Sequence, residues 1–346
     1  MSNQVSARAV TRRAVLGASF GAVAALAGTA MAARAQDGAT PAASPVAGEW
    51  TWTDVFGTTI TLPEPPKRIA ANLATAAALW DLGIKPVAVF DWTASAHPDG
   101  DHIAWGNIDA KAVANIGDID GNILPEELLK VAPDIILTQT FDNASAESLN
   151  GVLPDQTEAL SAIAPILVAT NMDPTDQQLQ RLVDLAESLG ADLDDPGIVS
   201  AREAYEAKVE EFRATAADQA DLTVLFMDFD PTAIYIGGPQ GVAELAYLQS
   251  LGLQFANADA PTAADFWEEL SPEQANTYPA DIIYNDVYST LKTLGELRGT
   301  PVFAQMPAIA AGQVGLWERD FPVSYAGLTD FLETVLVTLR DAEKVS

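Results

Sequence analysis

Apolar positions along this chain change period repeatedly, from short continuous or alternating runs to spacings of three and four, and that change predicts strands interleaved with helices. Residues 50–62 alternate as an edge hairpin turning at Gly57-Thr58, and 67–70 start the first core strand. Helical spacing over 74–82 ends at Gly83, a strand follows at 86–90, a helix at 125–130 and a strand at 134–138, with 166–169 closing this region. Residues 176–217 are nearly all helix formers, broken near Gly190 and at Asp195-Pro196-Gly197. The piece from 198 to 215 spans about 27 Å at 1.5 Å per residue, a stiff connector. Strands then return at 222–229, 233–236 and 281–284, with the turn Gly237-Gly238-Pro239, a helix over 240–251 and an amphipathic helix over 331–340. Strands alternating with helices predict parallel sheets covered on both faces, hence an α/β fold with regions 49–170 and 221–346 on either side of a helical connector, 171–220.

The start of the chain has a different pattern. Arg12-Arg13 precede the apolar run 14–31, and Ala30-Met31-Ala32 and Ala33-Arg34-Ala35 are small-residue cleavage choices. Residues 1–36 therefore read as a signal peptide of twin-arginine type, and 37–48, rich in Pro, Ala and Gly, as a flexible leader. An uncleaved anchor is the rival, but the run is short and rich in Ala and Gly. The chain has no cysteine, which removes disulfides, thiolate metal sites, thiol catalysis and a lipid-anchor cysteine. The expected product is exported and soluble, periplasmic or extracellular.

Charge and missing motifs narrow the function. The 346 residues carry a net charge of −30. Loss of residues 1–36 takes away Arg8, Arg12, Arg13 and Arg34 and no acid, leaving about −34. Such a surface repels nucleic acid and anionic lipid. There is no glycine-rich nucleotide loop, no HExxH and no G-x-S-x-G elbow, so the chain does not read as an enzyme.

The two α/β regions echo each other. Glu126 stands eight residues before Asp134-Ile135-Ile136, and Glu273 eight before Asp281-Ile282-Ile283. These segments, with PKRIAANLATAAALWDLGIKPVAV (66–89), IGDIDGNILPEELLKVAPDIIL (116–137), TEALSAIAPILV (157–168), LVDLAESLG (182–190), ELSPEQANTYPADIIY (269–284) and PVFAQMPAIAAGQVGLW (301–317), resemble the periplasmic siderophore-, haem- and cobalamin-binding proteins of ABC importers. The resemblance covers most of residues 49–341. It implies two Rossmann-like lobes joined by a single long helix, matched by 198–217, with a ligand cleft between them. It also implies that Glu126 and Glu273 dock onto an ABC permease, that the protein is monomeric, and that it holds no cofactor of its own.

Open parallel sheets place ligands beyond the C-terminal ends of their strands. The cleft candidates are then Asn72, Asp91, Trp92, Trp105 and Asn143 in the first lobe, and Tyr235, Trp267, Asn285, Tyr288, Trp317, Arg319 and Tyr325 in the second, with Leu73, Phe229 and Tyr284 beside them. Aromatic walls offer contact area at little entropic cost. Two readings are open for Arg319: a planar donor fork against chelate oxygens, or a surface pair with Glu318 or Asp320. The loop from His97 to His102 reads as a ligand-contacting or solvated loop; metal binding there matches no known spacing. The ligand implied by the resemblance is a ferric siderophore, and the acidic charge favours a neutral hydroxamate complex over an anionic catecholate. Haem, cobalamin, or a secreted sensor without transport are the alternatives.

Overall fold

The computed structural model describes residues 48–145 and 148–346; the expected signal peptide and all of the leader but Gly48 lie outside them. The described residues open with an antiparallel hairpin, β1 (Trp50–Thr53) and β2 (Thr59–Leu62). Asp54 forms its turn by accepting the N–H groups of Phe56 and Thr58, at 2.9 and 2.8 Å. Trp50 is buried and donates from Nε1 to Ser188 Oγ at 3.2 Å, which fastens the hairpin to the helical connector.

The first lobe is a five-stranded, wholly parallel sheet in the order β5-β4-β3-β6-β7. Its strands are β3 (Ile69–Asn72), β4 (Ala88–Phe90), β5 (Ala114–Asn115), β6 (Ile135–Gln139) and β7 (Ile166–Thr170). The connections include α1 (Leu73–Asp81), α2 (Trp92–Ala96), α3 (Pro125–Val131) and α4 (Thr157–Ser161). β3 lies at the centre and the chain winds outward first to one side and then to the other, the doubly wound arrangement that leaves a crevice at the strand ends.

The connector contains α5 (Thr175–Ser188) and α6 (Pro196–Asp218). α6 starts with Pro at its first position and Asp195 as its cap, whose Oδ1 accepts Gly197 N–H at 2.8 Å. Its 23 residues span about 34 Å, and it is the long helix that links the lobes.

The second lobe has the order β10-β9-β8-β11-β12, from β8 (Val224–Phe229), β9 (Ile234–Gly237), β10 (Trp267–Leu270), β11 (Ile282–Asp286) and β12 (Val314–Trp317). β8, β11 and β12 are parallel, but β9 pairs antiparallel with β8 and β10 antiparallel with β9. The sheet is therefore mixed where uniform alternation predicts a parallel one. The reason is length: the link from Phe229 to Ile234 suits a tight turn, and a parallel return needs a crossover of a dozen or more residues. Asp230 closes that turn by accepting Thr232 N–H at 2.8 Å. α7 (Ala243–Ser250), α8 (Leu294–Gly299), α9 (Pro307–Ala311) and α10 (Tyr325–Leu339) complete the lobe.

Burial explains why these strands are apolar on both faces. Ile69, Ala71, Ile135 and Leu137 of the first sheet and Val224 and Phe226 of the second belong to one core that continues through α1, α5, α6, α7 and α10. Ala70, Ala88 and Ile136 face a separate outer core of the first lobe, and Leu225, Met227 and Ile283 that of the second. A helical layer thus lies between two sheets, and an apolar core common to both lobes resists wide opening.

Candidate functional site

Where the two sheets point their C-terminal ends at each other, a cavity of about 200 Å³ remains. The turns after four strands of the first lobe supply one wall: Leu73 after β3, Asp91 and Trp92 after β4, Thr140 and Phe141 after β6, and Asn171 after β7. Asp91 is buried and caps α2, its Oδ1 accepting Thr93 N–H at 2.8 Å while Asn150 Nδ2 approaches Oδ2 at 3.5 Å. Burial raises its carboxyl above the usual range, against the donation from Thr93 and Asn150. Asn150 reaches this position because Gly151 follows it at φ +69, where a Cβ would collide with the Phe90 ring.

The second lobe supplies Glu244, Phe266, Arg319 and Asp320. Arg319 follows β12, and its guanidinium lies 5.2, 5.3 and 5.6 Å from the ring centroids of Trp267, Tyr288 and Trp317. Its Nε is 2.7 Å from Oδ2 of the fully buried Asp286 side chain. The N–H is not directed along that line, so the contact is an ion pair without hydrogen-bond geometry. Burial pushes Asp286 up to about 6, with Arg319 as the main opposing influence, so the pair is ionised at neutral pH. The Nη atoms of Arg319 make no hydrogen bond to the protein among the described residues. Glu244, in the first turn of α7, accepts Trp317 Nε1–H at 3.1 Å, and burial pushes its carboxyl up to about 7. Asp320 accepts the Tyr288 hydroxyl proton and lies 3.9 Å from His102 Nε2.

The residues expected at the cleft divide into groups. Asp91, Trp92 and Arg319 line it. Tyr288 stands at its edge, 6.0 Å from Trp92 between ring centroids, and Trp267 and Trp317 form the aromatic box behind Arg319. Tyr235 is one ring further out, 6.2 Å from Trp267. Asn143 supports the wall from behind by accepting Met172 N–H at 2.7 Å.

The rest are structural in their placement. Asn72 is fully buried and caps α1 through Thr75 N–H at 3.3 Å. Trp105 is 1 % exposed and belongs to the main core, because the single 3-10 turn carrying it packs on α1. Asn285 ties its own loop, donating to the Leu291 carbonyl at 2.9 Å and accepting Ser289 Oγ–H at 2.6 Å. Tyr325 packs against Tyr205 of α6 in the connector, with ring centroids 5.8 Å apart and planes tilted at 46°. Phe229 and Tyr284 are core residues. In the His97–His102 loop the two rings lie 4.8 Å apart between centroids, tilted at 37°, and His97 Nδ1 meets Asp101 Oδ1 at 3.0 Å. Among the described residues no group of three His, Cys, Asp or Glu side chains converges as a metal site.

Sequence reasoning missed Thr140, Phe141, Asn150, Asn171, Glu244, Phe266 and Asp320. The rule that selected Asp91 and Trp92, position just past a strand, also fits Thr140, Phe141 and Asn171. Glu244 was findable as an acid within the apolar helical run 242–248. Asn150 and Phe266 come from loops with no local signal.

Glu126 and Glu273 are both exposed and occupy equivalent places, each directly after a proline that starts a short helix, α3 in the first lobe and a 3-10 turn in the second. The echo extends inward. Asp134 accepts Lys67 and Arg68 N–H, both at 2.8 Å, and Asp281 accepts Thr223 N–H at 2.8 Å, so each pins the start of the central strand of its sheet.

Residues 69–320 match the family model of the periplasmic binding proteins. Among curated protein sequences, none matches this chain significantly. The crystal structure of DesE, a ferric-siderophore receptor protein from Streptomyces coelicolor, is 30% identical; it aligns over 86% of this chain and 100% of its own, with a TM-score of 0.74. A siderophore periplasmic binding protein from the fuscachelin gene cluster of Thermobifida fusca aligns at 20% identity over 80% of this chain and 96% of its own, with a TM-score of 0.58. The siderophore binding protein FhuD from Vibrio cholerae, bound to Fe3+–Desferal, aligns at 18% over 79% and 98%, with a TM-score of 0.57; these two show the fold alone. With two α/β lobes, a long connecting helix and a cleft of strand-end loops, the chain belongs to the periplasmic binding protein family, as a non-enzymatic substrate-binding protein of the kind that serves ABC importers.

Proposed function

We propose that this protein captures a ferric siderophore of the hydroxamate class outside the cytoplasm and delivers it to an ABC permease. The observation that carries the reading is the placement of its exposed aromatic rings. Every exposed large aromatic among the described residues, Trp92, Phe141, Phe266 and Tyr288, stands on or beside the cleft, two from each lobe. Exposed rings gathered at one opening are what a bulky, partly apolar chelate requires. The cavity is smaller than those that enclose drug-sized ligands, so such a chelate is held at the mouth, where these rings are. The Nη groups of Arg319 lie within reach as donors to the oxygens that surround the metal.

The ferric-siderophore receptor at 30% identity supports this choice of ligand. Glu126 and Glu273, exposed and equivalent on the two lobes, support a permease that reads both lobes at once. The export pattern of residues 1–36 is consistent with capture outside the cytoplasm.

The test is quenching of tryptophan fluorescence, titrated separately with ferric hydroxamate, ferric catecholate, haem and cobalamin. Saturable quenching at micromolar or lower concentration by a ferric hydroxamate supports the reading. Binding of haem or cobalamin alone replaces the ligand class, and silence toward all four, with the fold verified, refutes capture of a chelate.

A further inference from the structure

A polar contact crosses from lobe to lobe beside the cleft, and one of its partners is a histidine. His102, just before the 3-10 turn Ile103–Trp105 of the first lobe, places Nε2 3.9 Å from Oδ2 of Asp320, in the loop after β12 of the second. Both side chains are sheltered, 21% and 25% exposed. Asp320 is held from its own lobe, its Oδ2 accepting the Tyr288 hydroxyl proton and its N–H donating to Glu318 Oε1 at 3.1 Å. His102 is held by a different bond: its Nδ1 accepts Ala104 N–H at 3.3 Å and so caps the turn. The turn is itself anchored, by Trp105 in the core and by Gly106, where a Cβ would stand 2.8 Å from Pro322 Cγ of the second lobe.

These bonds fix the tautomer. A neutral ring whose Nδ1 accepts carries its proton on Nε2, here turned towards Asp320 at a distance too long for a hydrogen bond. A second proton has to enter at Nδ1, which ends acceptance from Ala104 and frees the ring. The same proton makes the ring a cation facing a carboxylate, and a charge-assisted bond at about 2.8 Å is then roughly 1 Å of movement away. The surroundings favour that state. Glu318, a carboxyl raised by burial, lies within Coulomb range of His102, and Asp91 within range of Asp320. Arg319 is turned away, against Asp286. Tyr288 stays a donor, because burial and Asp320 push its phenol up. The opposing group is His97, 4.8 Å away between ring centroids, and Asp101, 3.0 Å from His97 Nδ1, offsets its charge. Ala104 and Asp320 both line the cavity, so closing this gap narrows it. We propose that His102 is a pH-operated latch between the lobes: on gaining a proton it releases the Ala104 amide, closes onto Asp320 and slows the exit of whatever the cleft holds.

The chain has two histidines, so both rings can be followed by imidazole 15N–1H NMR of the whole purified protein from about pH 5 to 8, where imidazoles change charge. Neutral His102 is expected to carry its proton on Nε2, and the Ala104 amide signal to shift with the same midpoint as the His102 ring. Asp320→Asn is expected to move that midpoint to lower pH, since the carboxylate favours the cation. The second measurement is the exit rate of a ferric hydroxamate, by stopped-flow fluorescence. His102→Asn keeps a side-chain oxygen for the Ala104 amide and cannot titrate. At about pH 5.5 exit from the unaltered protein is expected to be about two- to fivefold slower than from His102→Asn, and at pH 8 the two should agree. A His102 midpoint indifferent to Asp320→Asn, or equal exit rates from the two proteins at both pH values, overturns the latch. If no ferric hydroxamate binds, the chelate reading fails alone and the ring titration decides the latch.

Discussion

Trp92 and Tyr288 face each other across the cleft from opposite lobes, their ring centroids 6.0 Å apart and their planes inclined at 59°. They are 45% and 37% exposed, so neither ring is needed to fill the core. A ligand entering between the lobes has to pass or displace this pair. Trp92→Ala is expected to weaken chelate binding by about tenfold or more and to remove much of the ligand-dependent quenching, with little change in Tm. Trp105→Ala supplies the contrast: it removes a core ring and should cost about 3–5 kcal/mol in stability. Thermal melts and titrations on both variants check this, and a Trp92 variant with unaltered affinity and quenching refutes the assignment.

Arg319 holds Asp286 as much as Asp286 holds Arg319. Arg319→Ala leaves a buried carboxylate without its cation, at an expected cost of about 3 kcal/mol. The loss should be smaller at pH 5 than at pH 8, because Asp286, pushed up to about 6 even with Arg319 beside it, takes up a proton once the guanidinium is gone. Arg319→Ala with Asp286→Asn should recover part of the stability. Denaturant unfolding at the two pH values decides it, and equal losses at both count against the ion pair.

Glu244 gives the protein a pH dependence of known sign. Its carboxyl is pushed up to about 7 by burial, against about 4.3 in an unfolded chain. Between those values the native state binds a proton that the unfolded state releases, so this group's contribution to stability is full below the unfolded value and declines as pH rises through the native one. Asp286 acts in the same direction up to about 6. Glu244→Gln retains an oxygen for the Trp317 Nε1 hydrogen bond and removes the titration. It is expected to flatten the fall of stability between about pH 5 and 7.5 and to gain on the order of 1–3 kcal/mol at pH 8. Parallel pH–stability curves for the two proteins would exclude the effect.

Asp281 works in the opposite sense. It is fully buried, and although burial alone would raise its carboxyl, donation from Val345, Thr223, Lys344 and Ser346 holds it well below the usual range. Its contribution is therefore present above the unfolded value near 3.9 and is lost as pH falls through the depressed native one. Asp281→Asn keeps one acceptor, loses the charge and the Lys344 pair at 2.9 Å, and should lower stability at pH 7 by about 2 kcal/mol. Calorimetry at pH 7 and pH 3 checks both sign and size.

Glu126 and Glu273 predict a separation of binding from transport. Charge reversal to Lys at both positions should abolish chelate uptake in cells while chelate affinity in solution stays within about twofold, since rim charges act on the partner they face. Normal uptake by the double variant removes the docking role.

The chain itself determined the central strands, several of the helices and the long helix that divides them, because these depend on period and punctuation over a few residues; β5, β10 and the short helices α2, α4, α8 and α9 escape that reading. Asp195-Pro196-Gly197 marks the start of α6, and the runs 134–138 and 222–229 mark buried strands, wherever the rest of the chain goes. It determined Asp91 and Trp92 for the same reason: a position just past a strand is a local property.

Tertiary structure decided membership of the cleft. Trp92 and Trp105 flank the same polar loop, yet one ring is 45% exposed at the mouth and the other 1% exposed in the core. The difference is whether α1 or the opposite lobe is the neighbour. It also decided that Arg319 answers Asp286, where local sequence offered Glu318 and Asp320. Glu244, Phe266 and Asn150 join Asp91 only because separate loops converge when the two sheets face each other. No local pattern encodes that convergence, because it is set by the core that continues through both lobes.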